Sequence, residues 1–94
     1  MFFVIARYKV KKEHQKKFLE ESKSYYSSKF KTAKGFRNIK FLKNILDKEF
    51  IDVITEWKTK QNFFDFVNKY QKEGVMKFSF PVEVLDRFLY DSLE

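Results

Sequence analysis

Twice along this chain the spacing of apolar residues switches from every second position to a helical period, and no other feature restricts its folding more. Phe2 to Val10 alternates, with Val4, Ala6, Tyr8 and Val10 on one face and Arg7 and Lys9 on the other. From Glu13 to Lys34 the period becomes helical. Phe18, Leu19, Ser22, Tyr25, Tyr26 and Phe30 form one stripe, opposite Lys16, Lys17, Glu20, Glu21 and Lys23. Gly35 is placed to end that helix. Phe36 to Lys43 reads as a second strand and Phe50 to Trp57 as a third, and the short turn around Asp47 and Lys48 makes them an antiparallel hairpin. Thr59 is positioned to cap a second helix, with Phe63, Phe66, Val67 and Tyr70 on its buried stripe and Phe64 at the edge. Gly74 is the expected stop, and an irregular helical turn is expected over 75–80. Pro81 blocks its continuation, and Val82 to Tyr90 forms a last strand. The order β-α-β-β-α-β with right-handed crossovers predicts a ferredoxin-like α+β fold: one antiparallel sheet with both helices on one face. No linker or repeat interrupts residues 1–94, which read as a single domain.

The strand parities carry a second message. Ile51, Val53 and Trp57 share one parity, while Phe50 and Ile54 take the other. Val82, Val84, Phe88 and Tyr90 oppose Leu85 and Leu89, and Ile39 and Phe41 oppose Phe36 and Leu42. Both sheet faces are therefore apolar, and the helices cover only one. With 13 Phe among 94 residues, the chain carries more apolar surface than so small a domain readily buries. The sheet of a second copy is the expected cover, which predicts a homodimer built as a two-sheet α+β barrel.

Composition removes whole classes of function. Zero cysteines exclude disulfides, Fe–S clusters and thiol nucleophiles. The glycines are Gly35 and Gly74, so no glycine-rich phosphate loop exists. No His or carboxylate spacing suggests a metal site, and no Ser sits in a nucleophile-elbow pattern. No apolar run approaches the roughly 20 residues of a membrane span, and no leader pattern precedes Phe2, so the expected location is the cytoplasm, with no membrane partner. A net charge of +7 raises the question of nucleic acid. The charge is carried by lysines scattered among acids, with Arg only at Arg7, Arg37 and Arg87, which argues against a nucleic-acid reader.

Candidate ligand-binding residues cluster around the strand-to-helix junction at Trp57, where small-molecule pockets tend to form. Trp57 offers a large π-face and an indole N–H, or else closes the sheet end as a core residue. Phe63 and Phe66 are core residues that also serve as pocket wall. Tyr8 and Tyr70 supply hydroxyls, and Arg7 supplies a guanidinium able to hold a phenolate or carboxylate. Tyr25 and Tyr26 lie in the first helical stripe, where packing is the simpler role. Arg87, also on a strand, offers the same guanidinium if it faces the pocket, or else, as the weightier role, pairs with Glu83, Asp86 or a partner acid at the dimer seam. His14, the single histidine, has only Glu13 as an acidic sequence neighbour and reads as an exposed helix-start residue.

Three segments resemble the antibiotic-biosynthesis-monooxygenase family of dimeric α+β barrels. Val10-Lys11-Lys12-Glu13 is similar to the family's passage from first strand to first helix. Ala33-Lys34-Gly35-Phe36 is similar to its small-x-Gly-Phe step into the second strand. Glu56-Trp57-Lys58-Thr59-Lys60-Gln61-Asn62-Phe63 is similar to its Trp-x-Ser/Thr-x-Glu/Gln-x-Phe junction. The resemblance implies a homodimer with a pocket in each protomer between sheet and helices. It implies a small cofactor-independent monooxygenase acting on an electron-rich aromatic of quinol or phenol type, with Trp57 stacking, Phe63 and Phe66 drying the pocket, and Arg7 and Tyr8 orienting the substrate. It equally admits a non-catalytic dimeric module that binds a small ligand, and a haem-degrading oxygenase. The haem-degrading members use an Asn on the first strand and a His after the second helix. Here Ala6 and Arg7 occupy the first place and residues 71–80 contain no His, leaving Met76 or Tyr70 as substitutes.

Overall fold

The computed structural model describes residues 1–71 and 78–93. Four strands and two helices follow in the expected order: β1 (Phe2–Lys9), α1 (Gln15–Lys29), β2 (Phe36–Lys43), β3 (Phe50–Trp57), α2 (Lys60–Gln71) and β4 (Glu83–Asp91). A 3-10 turn, Lys12–His14, leads into α1. The proposed stop at Gly74, most of the irregular turn and Met76 lie outside the described residues. None of the described helices is long and apolar enough to cross a membrane.

The sheet runs β2-β3-β1-β4, and every neighbouring pair is antiparallel. Burial along β3 alternates strictly, with Ile51, Val53, Thr55 and Trp57 inward. Phe2 and Val4 of β1 meet them, and both helices pack on this one face. Phe30, the residue capping α1, joins Phe2, Val4 and Trp57 in one core cluster, against which Phe63 and Phe66 of α2 pack. Phe18 of α1 joins Val10, Ile51 and Val53 in the other. Tyr26 packs against both clusters.

Two irregularities change which side chains face the helices. Phe36 pairs with Trp57 and Asn38 with Glu56, which leaves Arg37 as an extra residue on β2. Phe36 therefore turns inward onto Phe30 and Trp57, not outward with Leu42 as simple alternation predicts. On β4, Val84 pairs with Tyr8 and Asp86 with Arg7, so Leu85 is extra. An unpaired residue inverts the parity beyond it. Phe88 and Tyr90, expected beside Val82 and Val84, consequently lie on the outer face, while Arg87 and Leu89 share the inner side opposite Ala6 and Val4.

The first helix is shorter than its apolar stripe suggested. It ends at Lys29, and the chain descends through turns in which Ala33 N–H bonds the Phe30 carbonyl at 2.9 Å and Phe36 N–H the Ala33 carbonyl at 3.3 Å. Gly35 follows at φ +81°, five residues beyond the helix cap, so it shapes the turn into β2 and not the helix end. Its carbonyl accepts the Lys58 N–H at 2.7 Å, tying this turn to the junction before α2. Thr59 caps α2 as expected: its Oγ1 accepts the Asn62 N–H at 3.1 Å and donates to Asn62 Oδ1 at 2.8 Å.

Candidate functional site

Between the sheet's inner face and the two helices lies a cavity of about 540 Å³. This is within the range of small-molecule sites, about 300–1,000 Å³. Its walls are mainly aromatic: Phe30 from the end of α1, Phe63, Phe66 and Tyr70 from α2, and Phe78 and Phe80 from the segment before β4. The walls brace one another. Phe66 lies 4.3 Å from Phe30 and 4.5 Å from Tyr70, centroid to centroid, and Phe78 stacks on Phe18 at 5.0 Å. The segment carrying Phe78 and Phe80 is pinned to α1 by Ser79, whose N–H and Oγ donate to the Glu21 carboxylate at 3.1 and 2.6 Å. Those two bonds hold the Glu21 carboxyl below its usual range.

The cavity also has a polar pole. Tyr8 projects from β1, Tyr26 from α1 and Arg87 from β4, and all three border the same space. Burial, reinforced by the neighbouring Tyr8 hydroxyl, pushes the Tyr26 phenol well above the ordinary tyrosine range, while Arg87 pulls it the other way. Tyr26 is therefore a neutral hydroxyl at physiological pH, able both to donate and to accept. Arg87 is the one charged side chain on the wall among the described residues.

Of the residues picked out from the sequence, Tyr8, Phe63, Phe66 and Tyr70 come together around this cavity. Arg7 and Trp57 do not. Arg7 follows Ala6 and precedes Tyr8 on β1, so the pleat sends it to the opposite face. There its Nε and Nη2 donate to the Asp52 carboxylate at 2.8 and 2.9 Å, with the guanidinium over Phe88 at 5.4 Å. The hydrogen bonds and charge of Asp52 raise the Arg7 pKa further, consistent with a pair that serves the sheet and not a ligand. Trp57 is fully buried behind the wall. It touches Phe30, Phe36, Phe63 and Phe66 at 5.3–5.6 Å between centroids, and its Nε1–H donates to Thr55 Oγ1 at 3.0 Å. It positions three wall residues, Phe30, Phe63 and Phe66, and offers no free face. His14 is also away from the cavity wall, stacked on Phe80 at 5.1 Å with Nε2 3.6 Å from Glu13. Arg87, read from the sequence as a pocket or a seam residue, borders the cavity, and Tyr25 and Tyr26 both pack against the core as expected and line the cavity.

The sequence matches the family described as antibiotic biosynthesis monooxygenase over residues 1–71. No curated protein matches it significantly. Among solved structures, the chain is similar to the heme-degrader MhuD from Mycobacterium tuberculosis, determined with two hemes bound in its active site. The TM-score is 0.67 at 16% identity, covering 96% of this chain and 91% of that one. A conserved protein from Methanosarcina mazei Go1 is similar at TM-score 0.66 and 15% identity, covering 95% and 89%. A Deinococcus radiodurans protein bearing the same family description matches at TM-score 0.67 and 9% identity, covering 100% and 94%. At such identities these likenesses establish the fold.

Proposed function

We propose that this chain, which belongs to the antibiotic biosynthesis monooxygenase family, binds a small planar aromatic molecule in the cavity between its sheet and helices. The observation that carries this reading is the pairing of aromatic walls with a group of polar side chains, Tyr8, Tyr26 and Arg87, close enough to act on one another. Apolar walls supply affinity for a flat ring, and a few convergent polar groups fix its direction. The site is favoured as a binding module first, because no described side chain on its wall is an evident nucleophile or base.

The family description favours a second reading, oxygenation of an electron-rich phenol or quinol. In that chemistry a phenol with one ring hydrogen reacts with O₂ to give a quinone and water. One oxygen atom replaces the ring C–H hydrogen, the other leaves as water, and the substrate supplies all the electrons. The residues would exclude water (Phe63, Phe66), steer the hydroxyl (Tyr8) and present a protonated phenol to the developing oxyanion (Tyr26).

Haem fits the described residues poorly. The wall offers tyrosine hydroxyls and one guanidinium, no imidazole, and the chain's single histidine stacks on Phe80 outside the cavity. Burial keeps Tyr26 protonated, which disfavours it as a phenolate ligand. No step through haem is therefore derived.

We further propose a homodimer joined through the outer face. Phe3, Ile5, Ile54 and Tyr90 form an apolar groove there, flanked by Lys40 and Glu56, a mix of signs that a two-fold contact can pair with itself. Sedimentation at micromolar concentration tests it, with a stable folded monomer as the refuting result. For the site, calorimetric titration with naphthols and naphthoquinols should give saturable one-to-one binding, and oxygen uptake with the quinol distinguishes oxygenase from module. Separate incubation with haem and reductant should leave the haem spectrum unaltered. Failure of every aromatic probe to bind at millimolar concentration would end the cavity reading.

A further inference from the structure

Two arginines lie on adjacent strands of the sheet and have opposite fates. Arg7, on the outer face, is held by both oxygens of Asp52. Arg87 is turned to the inner side by the extra residue Leu85, opposite Ala6, and borders the cavity. Among the described residues no carboxylate lies within ion-pair distance of its guanidinium. Nor does any Asp or Glu line the cavity wall among those residues, so the cavity carries one positive charge with nothing in it to answer. Arg87 is exposed to solvent, so its charge goes unanswered by protein groups at little cost until an occupant covers it. An occupant that covers it is favoured when it brings the counter-charge. Guanidinium presents two parallel N–H donors in one plane, which match the two oxygens of a carboxylate. The hydroxyls of Tyr8 and Tyr26 stand at the same pole to donate to the remaining lone pairs.

Resting on the reading of this cavity as a ligand site, we propose that its occupant is an aromatic acid, a flat ring bearing a carboxylate, with the carboxylate on Arg87 between Tyr8 and Tyr26 and the ring among Phe63, Phe66 and Phe30. The bulge at Leu85 is what creates this preference. Were β4 to pair without the bulge, Leu85 would stand opposite Arg7, Asp86 would turn inward opposite Ala6 and Arg87 outward, reversing the sign of the pole.

Calorimetry with 2-naphthoate, its methyl ester and 2-naphthol on the wild-type protein, on R87Q and R87K, and on Y26F tests the assignment. Naphthoate should bind wild type at least about tenfold tighter than the ester, as charge-assisted hydrogen bonds predict, and the advantage should fall with rising salt. R87Q should abolish the advantage of acid over ester, R87K should retain part of it, and Y26F should reduce it a few-fold. Melting curves of the variants confirm that each is folded. Equal binding of acid and ester to wild type, or an advantage that survives R87Q, overturns the proposal while leaving the cavity reading intact. A preference for naphthol over naphthoate overturns the carboxylate in favour of a phenol. A loss of dimer in R87Q with the acid preference retained assigns Arg87 to the subunit seam. Binding of none of the three probes to wild type defeats the cavity reading itself.

Discussion

Replacing Gly35 by alanine should destabilise the protein through two separable effects. The first is backbone strain. Gly35 sits at φ +81°, and a side chain there costs about 1–2 kcal/mol. The second is a collision: a Cβ at this position would run into the Asn62 side-chain amide. Asn62 must then move, and its hydrogen bonds with Thr59 form the cap of α2. Disturbing such a cap costs about 1 kcal/mol. The sum is about 2–3 kcal/mol, or a fall in melting temperature of roughly 8–24 °C for a domain of this size. Thermal melts of wild type, G35A, N62A and the double variant separate the two effects. N62A removes the obstacle, so the double variant should be more stable than additivity predicts by about 1 kcal/mol. A G35A melt within about 2 °C of wild type, equivalent to less than half a kcal/mol, would refute the strain argument. Strict additivity would refute the collision.

Thr55→Val keeps the shape of a buried side chain but removes the acceptor of the Trp57 indole N–H. Leaving that N–H buried and unpaired should cost about 1–3 kcal/mol, and a denaturant titration with unchanged m-value would measure it. Glu21→Gln should make stability less dependent on acid pH. The Glu21 carboxyl is held low by its bonds to Ser79, so its contribution is present above the ordinary carboxylate range and disappears as pH falls through the folded value. Melting temperatures of wild type and E21Q should accordingly converge on acidification, and a gap that persists at pH 2 would refute the assignment.

How far the fold could be read in advance depended on which signals were periodic. Element order, the hairpin, the Thr59 cap and the clustering of Phe63, Phe66 and Tyr70 follow from alternation, helical stripes and capping chemistry, all of which are local. What escaped was single-residue counting within strands. Nothing local to Phe36-Arg37-Asn38 or Val84-Leu85-Asp86 marks the extra residue, because a bulge is set by the register against the neighbouring strand. Those slips decided that Phe36 is core and that Arg87 reaches the cavity, whereas Arg7's place on the outer face follows from the plain alternation of β1. Trp57 was ambiguous for a different reason. A tryptophan closing a sheet and one stacking on a ligand have the same sequence neighbourhood, and only the rings of Phe30, Phe36, Phe63 and Phe66 around it distinguish them.

The two outermost strands, β2 and β4, are the ones that carry the extra residues Arg37 and Leu85. Open strand margins invite other chains to add on rung by rung, and a kinked margin is a poor template for that growth. Further self-association would therefore be steered away from fibril-like extension along the sheet and toward stacking across it, a contact that closes after two copies.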